Sequence, residues 1–128
     1  MEKPGPKPPL PPEEIVKRAR KALRRDKMFT WEHVVDLANV GAVQVFWNDY
    51  GLWVTEIINS PLSKFLNVWL VAGELPEVME VQTQVLEHAR ANDCAYVSAN
   101  ARFGWKKVAR EHGWKEHAMI ITHEVPHE

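Results

Sequence analysis

Residues 65–114, FLNVWLVAGELPEVMEVQTQVLEHARANDCAYVSANARFGWKKVAREHGW, decide how the chain must be organised. Phe65–Ala72 is almost continuously apolar, with Asn67 as its one polar residue. That pattern predicts a central strand covered on both faces. Gly73-Glu74-Leu75-Pro76 breaks the strand and starts a helix expected to reach Asn92, with Val78, Val81, Val85 and Ala89 on its buried face. Ala95–Ser98 reads as a short strand, Asn100 as an N-cap, 101–112 as a helix and Gly113 as its C′ residue. Strand-helix-strand units of this kind cross over right-handed and place their strands parallel.

Upstream, Ala42–Trp47 and Leu52–Ile58 are β-rich runs around Asn48-Asp49-Tyr50-Gly51, a turn that tolerates positive φ, so a hairpin precedes the central strand. A helix is expected over Thr30–Asn39, with Thr30 as N-cap and His33 in the third position of a capping box. Pro12-Glu13-Glu14 opens an earlier helix, since proline and acids both suit a first turn. Ile15, Val16, Ala19, Ala22 and Leu23 form its narrow apolar stripe. Lys17, Arg18, Arg20, Lys21, Arg24, Arg25 and Lys27 place seven cations in eleven residues. Residues 1–12 hold six prolines and form neither helix nor sheet, giving an extended arm. Downstream, Trp114–Val125 is a last β-rich segment. The fold class is therefore α+β, in three parts: a Pro-rich arm at 1–12, a basic helix at 13–27 and one domain at 28–128.

With 128 residues the chain can bury a core without staples, hiding roughly two-thirds of its unfolded surface. No apolar run reaches the ~18 residues that span a bilayer, and Met1 leads into Pro-rich polar sequence rather than a signal peptide. A single cysteine, Cys94, excludes an internal disulfide and a Cys-based zinc site and makes a reducing compartment the default. His112, His117 and His123 lack metal-ligand spacing, so no metal is expected. Six tryptophans are most simply core. The net charge of −1 hides a split: residues 1–27 carry nine Lys/Arg against four Asp/Glu, and residues 28–128 carry seven against thirteen. A basic arm on an acidic body suggests an interaction tail.

The order of elements resembles the GNAT (Gcn5-related N-acetyltransferase) superfamily, and within it small GNAT-like proteins of tailed bacteriophages and prophages. The residues that carry the resemblance are Val54-Thr55-Glu56-Ile57, Trp69-Leu70-Val71-Ala72-Gly73, and Arg102-Phe103-Gly104-Trp105 with Arg110 and Gly113-Trp114. It covers about residues 30–125 and implies a mixed central sheet flanked by helices. It also implies that acetyl-CoA, if bound, would meet Leu70, Val71, Gly73 and Asn100, with its pyrophosphate at the break after the central strand. Glu56 is the nearest counterpart of a strand glutamate that serves relatives as general base; the plainer reading is a paired or exposed strand glutamate.

The chain departs from the family's pattern at chemically important positions. Only Gly73 could serve a glycine-rich phosphate loop; Glu74, Glu77 and Glu80 put negative charge there, and Pro76 removes an amide donor. The tyrosine that acts as general acid in many relatives falls on Ala109. The expectation is thus a catalytically degenerate, phage-encoded accessory protein of the virion or host cytoplasm, using no cofactor. Its partners would be other phage structural proteins or an acidic protein surface, met through Lys17, Arg18, Arg20, Lys21, Arg24 and Arg25 or as an oligomer. The alternatives are an active N-acetyltransferase using acetyl-CoA, and a regulator that binds nucleic acid through the basic helix.

Overall fold

A computed structural model describes residues 7–101 and 103–127. Residues 1–6 of the arm, Arg102 of the expected Arg-Phe-Gly-Trp stretch, and Glu128 lie outside the described residues. Helices α1 (Pro12–Asp26) and α2 (Trp31–Asn39) lead into strands β1 (Gln44–Asn48), β2 (Gly51–Asn59) and β3 (Lys64–Gly73). A 3-10 turn at Glu77–Val81 runs into α3 (Gln82–Ala91), then β4 (Val97–Ala99), a 3-10 turn at Phe103–Trp105, and α4 (Lys106–Glu111). The sheet order is β1-β2-β3-β4, antiparallel through β3 and parallel between β3 and β4. The architecture is the expected α+β one: a mixed sheet flanked by helices.

Each boundary follows from local chemistry. Pro12 opens α1 with Glu13 and Glu14 in its first turn, and Lys27 closes it in the left-handed region. In α2 the Thr30 hydroxyl accepts from the His33 amide at 3.1 Å, and His33 Nδ1 accepts from the Thr30 amide at 3.0 Å. The imidazole thereby does what a glutamate usually does in a capping box. At the hairpin, Asn48 Oδ1 accepts from the Tyr50 amide at 2.8 Å, the side-chain turn that asparagine favours.

The sheet has a core on each face. Ile15, Ala19 and Leu23 of α1 and Val34 of α2 pack with Leu52, Val54, Leu70 and Ala72. Val78, Met79, Val81, Val85 and Ala89 pack with Trp53, Leu66 and Val68 on the other face. Leu66, Val68, Leu70 and Ala72 share one parity along β3, yet they divide between the two cores. The register explains this: Val54 pairs with Leu70 but Thr55 with Val68, leaving Trp69 as an extra residue. A bulge of one residue carries every later side chain to the opposite face.

Three expectations need correction. The helix after β3 is split, with a 3-10 turn before α3. The helix expected at 101–112 is a 3-10 turn and a six-residue α4, so Asn100 is not its N-cap. Trp114–Val125 forms no strand: Met119, Ile120, Ile121 and Val125 are exposed, because β-propensity without a neighbouring edge supplies no ladder hydrogen bonds. Gly113 does sit just past α4 at φ 89°. Of the tryptophans, Trp53 is fully buried, while Trp47 is exposed and Trp31, Trp69, Trp105 and Trp114 are half-buried at the core margins.

Candidate functional site

β3 and β4 are paired over a short stretch, Leu66 with Val97, Asn67 with Ser98 and Val68 with Ala99. β3 then continues five residues further, from Trp69 to Gly73, about 16 Å of strand at ~3.3 Å per residue. The sheet therefore opens beside the bulge. On the α1–α2 face at this opening stands the half-buried Glu56, paired across the strands with Asn67. Trp69 Nε1 donates to Glu56 Oε1 at 3.1 Å, and Ser98 Oγ donates to Asn67 Oδ1 at 3.4 Å. The Trp69 ring stacks on Phe29 with centroids 4.5 Å apart, and Phe29 meets His33 edge-on at 6.4 Å. The bulge brings this group together: Glu56, Asn67 and Trp69 share a face, with an aromatic wall on one side and polar side chains on the other.

Sequence reasoning singled out Glu56 and noticed Asn67, but missed Trp69 as the donor that orients the carboxylate. No local signal pointed to it: Trp69 lies in an almost continuously apolar run, and its place is set by the register of β2 on β3. Leu70 and Val71 lie on the part of β3 beyond the last pair, Leu70 in the α1–α2 core and Val71 against the α3 core. Asn100 is exposed, one residue past β4. Ala109, half-buried in α4, brings no hydroxyl; the Tyr50 hydroxyl donates to the Lys7 carbonyl at 2.9 Å, and Tyr96 stacks on Phe65 at 4.9 Å.

The break after β3 is where the resemblance would seat a CoA diphosphate. Its residues do not fit that group. The Glu74, Val78 and Met79 amides donate to the carbonyls of Tyr50, Glu74 and Pro76 at 2.9, 2.8 and 2.9 Å. Pro76 has no amide proton, and its bond to Leu75 is cis. A Cβ on Gly73 would overlap the Tyr50 carbonyl oxygen and lie 2.6 Å from Gly51 Cα, so the missing side chain serves the hairpin and not a ligand. The acids are clasped from within the chain. Lys7 Nζ donates to the Leu75 carbonyl and lies 3.7 Å from Glu74 and 3.5 Å from Glu77. Arg18 bonds Glu74 at 2.9 Å and Glu14 at 3.2 Å. Leu10 donates its amide to the Asp49 carbonyl at 2.9 Å, tying the end of the arm to the hairpin. Among the described residues, two cations against three carboxylates leave the cluster net negative, the wrong sign for a diphosphate.

The hydrogen bond from Arg18 holds the Glu74 carboxyl below the usual carboxylate range; burial opposes this, and the charges of Arg18 and Lys7 reinforce it. Burial works to lower the Arg18 pKa, and the bonds to Glu74 and Glu14 outweigh it, so the guanidinium is raised. A depressed folded-state carboxylate stabilises the fold above its unfolded pKa, and that stability is lost as pH falls through its folded value. Glu74→Gln should therefore lower Tm at pH 7 by a few degrees, since a pair this exposed is worth at most about 1 kcal/mol. Wild type and variant should converge as pH drops below the carboxylate range. Thermal melts from pH 7 to pH 3 check this; parallel curves would remove Glu74 as the titrating link.

The basic helix is less uniform than its sequence. Arg18 is turned inward to Glu14 and Glu74, and Arg20 pairs with Glu32 of α2 at 2.5 Å. Lys17, Lys21, Arg24 and Arg25 are exposed. No described helix is long and apolar enough to cross a membrane.

No protein-family model and no curated protein match the chain. Solved structures do match, and several of them are described as acetyltransferases. An aminoglycoside acetyltransferase from an uncultured soil sample, in complex with sisomicin, superposes with a TM-score of 0.65 at 11% identity, covering 91% of this chain and 88% of its own. Glucosamine-6-phosphate N-acetyltransferase of Arabidopsis thaliana gives 0.61 at 11% identity, covering 87% and 94%. The fold also carries a protein described as a transcriptional regulator, from Bacillus halodurans, at 0.61, 9% identity and 91% and 97% coverage. With likeness running through nearly the whole of each chain and identity this low, the comparison establishes architecture: this chain has the GNAT-like fold of acetyltransferases.

Proposed function

We propose that the chain is an N-acyltransferase that takes its acyl donor by the thioester arm alone. The opening of the sheet beyond Val68 and Ala99, next to an oriented Glu56, carries this reading. The acetyltransferase neighbours support it. Trp69–Ala72 and Asn100 border the opening and would hold the slender, uncharged part of the donor. The bound thioester supplies an activated acyl carbonyl. Glu56 takes the proton that an attacking amine loses as the C–N bond forms and returns it to the sulfur as the C–S bond breaks, so that the donor arm leaves as a thiol; the Trp69 indole N–H fixes which carboxylate oxygen remains available. The Phe29–Trp69 stack forms an apolar wall beside that carboxylate.

Because the break after β3 does not fit a diphosphate, acetyl-CoA and S-acetyl-pantetheine should bind within about tenfold of each other by calorimetry. A diphosphate-binding loop would separate them by ~10²-fold or more, since several charge-assisted bonds would be lost. Glu56→Gln should lower kcat by ~10²-fold with little change in donor affinity. Binding of neither donor at millimolar concentration would sink the proposal. It would leave the second reading, favoured by the sealed break: a catalytically silent accessory protein, of a phage particle as the resemblance implies, working through protein contacts.

A further inference from the structure

We propose that the outward face of α1 binds the phosphate backbone of nucleic acid. At about 100° per residue, Lys17, Arg20, Lys21, Arg24 and Arg25 fall within an arc of about 140°, over about 12 Å of helix. The buried residues Ile15, Ala19 and Leu23 occupy the opposite side. All five cations are exposed, and Lys27 extends the stripe past the helix end. Lys17, Arg20 and Arg24 also border a shallow groove of about 630 Å³ with Pro12, Glu13 and Val16.

Three observations choose the partner. Like charges at i,i+3 and i,i+4 oppose helix formation, and Lys17–Lys21, Lys17–Arg20, Lys21–Arg24, Lys21–Arg25 and Arg20–Arg24 are all such pairs. A face kept for solvation alone would mix signs along its length; here the acids are Glu13 and Glu14 in the first turn, Asp26 at the end and Glu32 across on α2. A membrane surface would need an apolar face to insert, and that of α1 is closed in the core. A protein interface would need an apolar centre, and no large apolar residue is exposed between Glu13 and Lys27. Phosphate binding needs cations alone.

The test is fluorescence anisotropy of the full chain with a short mixed-sequence DNA duplex at rising salt. Expected is binding that ignores sequence and falls with a log–log salt slope of about −3 to −4, as for release of counterions from about four phosphates. Lys17→Glu, Lys21→Glu and Arg24→Glu together should weaken binding at least ~30-fold at low salt and flatten the slope. Circular dichroism should be unchanged, since all three side chains are exposed. The neutral Gln triple variant should fall between. The inference is overturned by absence of duplex binding at low salt, by equal affinity of the triple variant, or by tighter binding to poly-glutamate or to phosphatidylserine vesicles. None of these outcomes bears on donor binding at Glu56.

Discussion

A Gly73→Ala protein is expected to lose about 3–5 kcal/mol of stability and to melt roughly 10–20 °C lower than wild type. Gly73 ends β3 at φ 143°, a conformation that an L side chain rarely adopts. A Cβ there would strike backbone on two sides, the Tyr50 carbonyl oxygen and Gly51 Cα, neither of which can rotate away. The crowding is mutual: a Cβ on Gly51 would overlap the Ala72 carbonyl oxygen and lie 2.9 Å from Gly73 Cα. The Glu74 amide donates to the same Tyr50 carbonyl, so forcing the strands apart also costs that bond. Gly104, where a Cβ meets nothing within 4 Å, is the control, and Gly104→Ala should change stability by no more than ~0.5 kcal/mol. Urea unfolding followed by circular dichroism measures both. The result also bears on chemistry. If Gly73→Ala folds as well as wild type but loses acetyl-CoA binding, the glycine is a phosphate contact after all and the break does seat a diphosphate.

Gly73 shows what the sequence could and could not reveal. A glycine at a strand end in front of an acidic, proline-containing stretch was legible as a break. That its missing side chain accommodates a hairpin about twenty residues upstream was not, because the contact is set by the register of β2 on β3. The elements themselves were readable where patterns were local. The stripe of Ile15, Ala19 and Leu23, the Thr30–His33 capping box and the hairpin around Asn48–Gly51 follow from spacing and turn chemistry. The bulge at Trp69 was not readable, and it decides which residues stand beside Glu56. The clasp of Lys7 on Glu74 and Glu77 joins residues 67 and 70 positions apart, a distance over which sequence carries no pairing signal. The missing last strand has the converse origin. Residues 118–122 have strong β-propensity, but strand formation is a property of pairs, and the chain leaves α4 tethered by Trp114 to Gln82 at 2.6 Å and by Glu116 to Lys106 and Arg110.

The other large effect is expected at Trp53. Its side chain is 1% exposed, packs among Val78, Met79 and Val81 on the α3 face, and lies with its ring 6.3 Å from that of Trp114. Its indole Nε1 donates to the buried Val78 carbonyl at 3.0 Å, which fixes the 3-10 turn between β3 and α3 against the sheet. Trp53→Ala removes the ring and that donor together, and should cost about 4 kcal/mol, a large share of the ~5–15 kcal/mol that holds an ordinary domain folded. Trp53→Phe keeps most of the volume but leaves the Val78 carbonyl without its partner, so it should cost about 1–3 kcal/mol. The difference between the two variants separates cavity from hydrogen bond. The Phe variant should also raise amide exchange locally at Val78 and Met79, whose N–H bonds to Glu74 and Pro76 build the turn, while leaving the hairpin amides protected. If exchange instead rose evenly through β1, β2 and the turn, the indole would be a generic core filler and not the tie that sets the break beside the open end of the sheet. Because that break lies at the far end of the half of β3 that β4 leaves unpaired, loosening it should weaken thioester binding before the fold itself is lost.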